Sequence, residues 1–557
     1  MENSVSDTDP IPQILEKVCF DANLESPPIS ALEETRRASN YLKGWPLHLL
    51  TTALMLAIFL PQVEGTIAAT ALISITNDLR GFNESSWIIT AYMLTYTCFL
   101  IISAKLSDIF GRKSLLLVSV GLFVIFSAAC AGAQSMTQLI ILRAFQGIGA
   151  SGTYALVTVI LFELVPSEKY ASYTSILAAI LGTSLVIGPI LGGIICNFTT
   201  WRWIFIINVI LGAITIVLLS LALPKNYPHH HLPESMYKPK TLSESFSRQQ
   251  FGRVDFIGTG LLLCAAILLI VALEETGIDY KWNSGFIIAM LTISIISWIS
   301  FFAWSWRITS WDGTREPIFP WRFLTSRTCA GLFIIVFLTG MPLTVALVQL
   351  PLRFQVVNGL SQLNAGVRLL PFLAFTPVGS MVTAGVEGKF KVPPLYMFIA
   401  ASCLQIAAFT LLSFSPTDSH INHAQYGYQA MAAIAIGSSL ASLTVMAPFM
   451  VEERDKSVAM AAVLQFRTMG GAIGLAIVTT VMNRYIKTHL SEILTPNQVH
   501  EILRSTESLA LLPPSALRPV TETFARGFNL QMRILIGTSV AQIPFSMLVW
   551  RKKQIVV

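Results

Sequence analysis

The clearest charged residues inside apolar stretches are Glu64 within 47–73 and Arg143 within 139–164. A charge placed in lipid is costly, so such a residue faces a protein interior and serves a purpose there. Desolvation penalises the ionised form of a carboxylate, so an acid in that setting can take up and release a proton. A nearby arginine opposes protonation and permits it when a conformational change draws the two apart. Glu64 and Arg143 are therefore a candidate proton-coupling pair. A static buried ion pair, or a Glu64 at the water boundary, are the readings that stay open beside it. Pro61 and Gly65 flank the acid and can loosen the helix locally.

A second set of residues with usable chemistry is Ala104-Lys105-Leu106-Ser107-Asp108-Ile109-Phe110-Gly111-Arg112-Lys113. Gly111 permits a tight turn. Asp108 can accept hydrogen bonds from a neighbouring helix N-terminus or pair with Arg112. Such a latch holds one conformation shut and releases it in another. A third set is Gly182-Thr183-Ser184-Leu185-Val186-Ile187-Gly188-Pro189-Ile190-Leu191-Gly192-Gly193. Its small residues let a facing helix approach closely, and Pro189 removes a backbone hydrogen bond and bends its own helix. A close, bendable seam suits gating.

Polar residues among the apolar runs, namely Gln62, Asn208, Gln349, Gln405, Gln465 and Arg467, stand beside many Phe and Met residues. A mostly apolar pocket with few polar anchors suits hydrophobic organic molecules. Hydrogen bonding between helices is the alternative for each, and Arg467 could instead pair with a carboxylate or with carbonyl groups.

The elements that carry these residues follow from composition. Of 557 residues, 54% are hydrophobic and 12% charged, against about 25% charged in ordinary soluble domains. A soluble enzyme, a disordered scaffold and a disulfide-stapled secreted protein are excluded. A run of about 20 apolar residues spans a bilayer core as a helix. About fourteen such runs occur, at roughly 47–73, 87–106, 114–133, 139–164, 173–196, 203–223, 255–273, 285–304, 329–350, 365–386, 395–414, 429–449, 458–482 and 534–550. The N-terminal stretch 1–46 is polar and mixed in charge, and reads as a disordered cytoplasmic tail rather than a cleavable signal peptide.

The net charge of +6, from 37 Lys and Arg against 31 Asp and Glu, reflects topology rather than nucleic-acid binding. The basic residues fall in alternate loops: Arg112 and Lys113; Lys225, Lys238, Lys240, Arg248 and Arg253; Arg307, Arg315, Arg322 and Arg327; Lys389 and Lys391; Arg454 and Lys456; and the terminal Arg551, Lys552 and Lys553. With an even number of spans, both termini are expected in the cytoplasm. Cys19, Cys98, Cys130, Cys196, Cys264, Cys329 and Cys403 are odd in number and without a CxxC pair, which argues against a metal site or a disulfide framework. The His229-His230-His231 run lacks neighbouring Cys or carboxylate ligands and reads as solvated loop. The sequons at Asn83 and Asn197 fall in loops expected outside, close to the membrane surface, where a glycosylating enzyme reaches poorly.

The 104–113 segment resembles the G-x-L-x-D-x-x-G-R-K signature of the major facilitator superfamily, with Ala104 in place of the first Gly. Leu142-Arg143-Ala144-Phe145-Gln146-Gly147-Ile148-Gly149 resembles its R-x-x-Q-G-x-G element, which implicates the arginine in proton coupling. The Gly188-Pro189…Gly192-Gly193 string resembles the signature of its exporters. Val63-Glu64-Gly65-Thr66-Ile67-Ala68-Ala69-Thr70-Ala71-Leu72 resembles the drug:proton antiporter element L-D-x-T-I-V-x-x-A-L-P, with Glu64 for Asp and Ile73 for Pro. Trp201-Arg202-Trp203-Ile204-Phe205 with Asn208, Arg315-Glu316-Pro317-Ile318, Leu350-Pro351 with Phe354-Gln355, and Gln465-Phe466-Arg467 with Gly470-Gly471 resemble the fungal fourteen-helix branch. Gly385-Val386-Glu387-Gly388-Lys389 faintly repeats Gly111-Arg112-Lys113.

The resemblance implies an all-α membrane protein with the major facilitator fold, two six-helix bundles plus two extra central helices. The implied division is a tail at 1–46, an N-terminal bundle at 47–223, a cytoplasmic loop at 224–254, two inserted helices with their loop at 255–328, a C-terminal bundle at 329–550 and a tail at 551–557. It implies a proton-coupled antiporter exporting small hydrophobic compounds, a fungal secondary metabolite, toxin or xenobiotic, with a proton-coupled importer of siderophores or other small molecules as the alternative. No cofactor is expected beyond the proton gradient. The expected partners are substrate, protons and the bilayer, with no nucleic acid, and the chain is expected to be a monomer in the plasma membrane or, alternatively, the vacuolar membrane. An enzyme or receptor is set aside because no His/Cys/carboxylate cluster has catalytic spacing. An ATP-driven pump is set aside because the Gly388-Lys389 dipeptide lacks the flanks of a phosphate loop.

Overall fold

The computed structural model describes residues 44–79, 85–224, 227, 248–276, 280, 282–310, 315–418, 420–491, 493–495, 498 and 513–556. The expected tail up to residue 43, Asn83, Lys225, Lys238, Lys240 and the His229-His230-His231 run lie outside the described residues.

Apolar runs become long helices because lipid leaves backbone groups no partner outside the helix. The helices are α1 (Trp45–Leu79), α2 (Ser85–Cys98), α3 (Leu100–Phe110), α4 (Arg112–Ala131), α5 (Met136–Glu163), α6 (Tyr170–Phe198), α7 (Arg202–Ala222), α8 (Phe256–Glu275) and α9 (Gly285–Ser310). There follow α10 (Arg327–Val356), α11 (Leu370–Phe390), α12 (Pro394–Ser413), α13 (Ala424–Met446), α14 (Lys456–Leu490) and α15 (Pro514–Val549). Among the described residues 13 helices are long and apolar enough to cross a membrane, or 14 with α2 and α3 taken as one span bent by 47°. The chain is a multi-pass membrane protein.

Helices α1–α7 pack into one bundle and α10–α15 into another, with matching partners. The first helix of each lies on the fifth span (α1 on α6, α10 on α14), the third on the fourth (α4 on α5, α12 on α13), and the third on the sixth (α4 on α7, α12 on α15). The bundles meet through a pair of equivalent seams, α3 with α14 and α6 with α11. The inserted pair, α8 and α9, packs on itself and against α2 and α14, burying Ala266 and Ile270 with Leu94 and Cys98. Its outer surface exposes Ile295, Ile296 and Ile299 by more than half, as a lipid-facing surface does.

Helix ends gather on two faces. On the basic face Arg327 Nη2 donates to Trp550 O at 2.7 Å and Arg551 Nη2 to Thr328 Oγ1 at 3.1 Å, joining the start of α10 to the end of α15. On the opposite face Arg202 Nη1 donates to Asp78 Oδ2 at 2.7 Å, joining α7 to α1.

Two expectations about the spans are corrected. The run at 87–106 is one span only in the loose sense, since the helix breaks at Phe99 with neither Pro nor Gly there. The amide of Ile101, left over by the break, donates to Gln465 Oε1 of α14 at 3.2 Å. The polar segment expected at 483–526 is helical at both ends, because α14 continues to Leu490 and α15 begins at Pro514. Those extensions are apolar on one side only. Met482, Ile486 and Leu490 pack against Val520, Phe524, Ala525 and Phe528, so no wholly apolar run marked them.

Candidate functional site

Glu64 and Arg143 meet in the interior of the first bundle, and neither side chain has any exposed surface. Arg143 Nη1 donates to Glu64 Oε1 and Asn208 Nδ2 to Glu64 Oε2. The acid thus comes from α1, the base from α5 and the amide from α7. Arg143 is held further by Nε donating to Ile88 O at 3.1 Å and Nη1 to Gln146 Oε1 at 2.8 Å. Gln146 Nε2 in turn donates to Ser127 Oγ at 2.8 Å. Arg143 Nη2 has no hydrogen-bond partner among the described residues. The guanidinium carbon lies 4.4 Å from the centre of the Tyr92 ring, a cation–π distance.

Close helix approach sets this geometry. A Cβ on Gly188 would lie 1.9 Å from Thr66 Oγ1 and 3.2 Å from Val63 O, so α6 passes directly over the turn that carries Glu64. Gly147 approaches α2 in the same way, and a Cβ there would lie 2.2 Å from Thr95 Oγ1. Pro189 lies within α6, Gly192 is buried, and Gly193 faces open space.

From Tyr92 an aromatic line runs to the second bundle. The Tyr92 and Tyr96 rings stack with centres 6.1 Å apart, and Tyr96 and Tyr154 lie 6.0 Å apart. Gln62 Nε2 donates to Tyr96 Oη at 2.9 Å. Tyr154 Oη accepts from Arg467 Nη2 of α14 at 2.9 Å. Gln62, Gln465 and Arg467 therefore fall along the seam between bundles, whereas Asn208 belongs to the Glu64 cage. Gln349 lies inside the second bundle, its Nε2 3.3 Å from Thr479 Oγ1. Gln405 is there too, donating to Ser439 Oγ at 2.8 Å.

The latch residues sit on the basic face. Gly111 turns the chain between α3 and α4 at φ 98, a conformation open to glycine. Asp108 pairs with Arg112 and also lies 2.7 and 2.6 Å from Ser457 Oγ, the second residue of α14. Arg112 reaches Glu163 at 3.0 Å. Lys113 Nζ donates to Ser220 O at 2.8 Å and to Leu223 O, closing the end of α7. The latch thus ties the two bundles together at this face. Across the equivalent seam Ser175 Oγ donates to Ser380 O at 3.3 Å.

A second clamp lies beside it. Glu316 accepts from Lys105 Nζ at 2.6 Å and from Arg253 Nε at 3.0 Å. Burial pushes the Glu316 carboxyl up, but Lys105 and Arg253 together outweigh it and hold the group below its usual value of 4.5. This clamp fastens the inserted pair to α3.

Sequence reasoning passed over Tyr92, Tyr96, Tyr154, Ser127, Glu163 and Ser457. The tyrosines lie in apolar runs and read as core. Gln146 had an available signal, since its i, i+3 spacing from Arg143 puts both on one helix face. Asn197 lies in the last turn of α6. No group of three His, Cys, Asp or Glu placed to hold a metal occurs among the described residues.

The sequence profile of the Major Facilitator Superfamily matches residues 54–475. The chain is 41% identical over 515 residues to the MFS-type transporter FPY5 of Fusarium mangiferae, covering 92% of this chain and 85% of that one. It is 29% identical over 467 residues to the efflux pump FUS6 of Gibberella fujikuroi, covering 83% and 79%. Among solved structures, a double-tryptophan variant of XylE shares the fold with a TM-score of 0.54 at 14% identity, covering 91% of this chain and 97% of that one.

Proposed function

The chain belongs to the major facilitator superfamily, and on that premise we propose that it is a proton-coupled efflux transporter, an antiporter that exports small hydrophobic compounds of the secondary-metabolite, toxin or xenobiotic kind. One observation carries the reading: a carboxylate with no exposed surface, Glu64, is held by a guanidinium and an amide from two other helices. Efflux as the direction is supported by the similarity to a fungal protein named an efflux pump.

In this mechanism the two bundles rock about the buried seams and expose the centre to one side at a time. The basic face is cytoplasmic, and the membrane is the plasma membrane. Substrate enters from the cytoplasm or the inner leaflet. Glu64 then takes a proton from outside, which removes its charge and frees Arg143 from the ion pair. Substrate leaves, the bundles reorient, and the proton departs inward as the pair re-forms. The Asp108–Ser457 and Asp108–Arg112 contacts close the basic face during the outward phase. Gly188, close against Thr66, lets motion of α6 reach the Glu64 turn.

The test is efflux from proteoliposomes with and without an imposed pH gradient. Wild-type transport follows the gradient. Glu64→Gln retains substrate counterflow and loses the response to the gradient. If Glu64→Gln still couples transport to the gradient, the assignment is wrong.

A further inference from the structure

Arg467 is a cation at the centre of the molecule that no acid among the described residues answers. It lies 11 residues into α14, which begins at Lys456 at the basic face. At 1.5 Å per residue that is about 17 Å along the axis, near the middle of a hydrocarbon core about 30 Å thick. No carboxylate comes within ion-pairing distance of it among the described residues, and its hydrogen-bond partner there is the neutral Tyr154 hydroxyl. Arg467 is itself half-buried, and the buried arginines are better matched. Arg143 has Glu64, Arg112 has Asp108 and Glu163, and Arg353 has two carbonyl oxygens, Asn529 Oδ1 at 2.6 Å and Pro416 O at 2.7 Å.

The groups around Arg467 are rich in donors. A guanidinium carries five N–H donors and no acceptor, and Tyr154 uses one of them. Gln62 directs its amide nitrogen to Tyr96 Oη from α1, and the Tyr96 and Tyr154 rings stand 6.0 Å apart. These residues come from α1, α2 and α5 of one bundle and α14 of the other, so a molecule among them touches both halves of the rocking machine. An unpaired charge in a low-dielectric interior is costly, and the ligand that relieves the cost brings a negative charge with free acceptor oxygens.

We propose that Arg467, with Tyr154, Tyr96 and Gln62, receives the ionised acidic group of the cargo, so that the exported compound is an amphipathic organic anion, an apolar body bearing a carboxylate or enolate. The inference rests on the export reading above and names its substrate class. It uses a charge that the Glu64–Arg143 pair does not involve.

Binding without any gradient tests it. The full chain is placed in nanodiscs of neutral phosphatidylcholine at neutral pH, where a carboxylic acid is ionised. Three probes sharing one ring system are compared by equilibrium dialysis: naphthylacetate, its methyl ester and naphthylethylamine. Naphthylacetate is expected to bind at least about tenfold tighter than the other two. Arg467→Gln brings the acid to the level of the ester, Arg467→Lys keeps most of the preference, and Tyr154→Phe weakens the acid a few-fold. The ester or the amine binding as well as the acid overturns the proposal, as does failure of the acid to bind. If Arg467→Gln does not fold, an unchanged preference in Tyr154→Phe overturns it. Nanodiscs containing phosphatidylserine separate cargo from lipid, and loss of acid binding there makes a lipid headgroup the occupant and overturns the cargo assignment. Glu64→Gln leaves the acid preference intact, so failure of proton coupling and failure of anion recognition are read separately.

Discussion

Removing both members of the Glu64–Arg143 pair is expected to harm the fold less than the two single removals suggest. Neither side chain has exposed surface, so each charge depends on the other in place of water. Truncating one partner of such a pair costs about 3–5 kcal/mol, because the survivor is left buried and uncompensated. Glu64→Leu strands the Arg143 guanidinium, whose remaining hydrogen bonds go to Ile88 O and Gln146 Oε1. Arg143→Met strands the carboxylate with the Asn208 amide alone. Independent effects would sum to about 6–10 kcal/mol in the double variant. With both charges gone, the orphans are the Asn208 amide and the Gln146 side chain, at about 1–3 kcal/mol each. The double variant is therefore expected about 2–6 kcal/mol below wild type, with a coupling energy of about 4 kcal/mol at the midpoints of these ranges. Equilibrium unfolding of the purified chain in mixed micelles, titrated with dodecyl sulfate and followed by circular dichroism, gives all four corners of the cycle. Additivity of the two single effects within about 0.5 kcal/mol would refute the reasoning, since the charges would then not depend on one another.

Two further outcomes are expected. Gly188→Ala places a Cβ 1.9 Å from Thr66 Oγ1, and overpacking of that kind costs about 1–3 kcal/mol. Efflux and thermal stability fall together, and Thr66→Ala in the same chain restores part of both; no restoration would mean that the α1–α6 approach is not the cause. Glu316→Gln lowers thermal stability at neutral pH by removing the Lys105 and Arg253 clamp. Because the folded-state Glu316 carboxyl lies below its usual 4.5, its contribution is complete above that value and is lost as pH falls through the lower folded value. The gap between wild type and variant in melting scans should therefore close only on the acid side of 4.5.

Much of the architecture was legible because lipid imposes one rule, that a spanning segment satisfies its own backbone and presents apolar side chains. The runs from 47–73 onward declare themselves by composition, and Glu64 and Arg143 stand out by violating it. The latch was partly legible as well. Gly111 stands at the positive φ of a tight turn, and Asp108 and Arg112 are four positions apart across it. Ser457, the partner of Asp108 in the other bundle, was not, because the two are separated by 349 positions. The break at Phe99 and the one-sided extensions of α14 and α15 escaped for a related reason. Each depends on a tertiary partner, Gln465 for the break and the Met482–Phe528 cluster for the extensions.

The amino-acid sequence by itself determined that the chain lives in a membrane, roughly where it crosses, and which charges had to be sheltered from lipid. Those properties follow from local composition, which needs no knowledge of neighbours. Only the folded arrangement decided that Asn208 joins Glu64, that Tyr92, Tyr96 and Tyr154 form a line between the bundles, and that Arg467 reaches the centre without a counter-charge among the described residues. Pairing of that kind is set by helix packing, in which glycines and close seams select among many possible neighbours. A tyrosine in a greasy run looks the same whether it fills a core or faces a cation from the opposite half of the molecule.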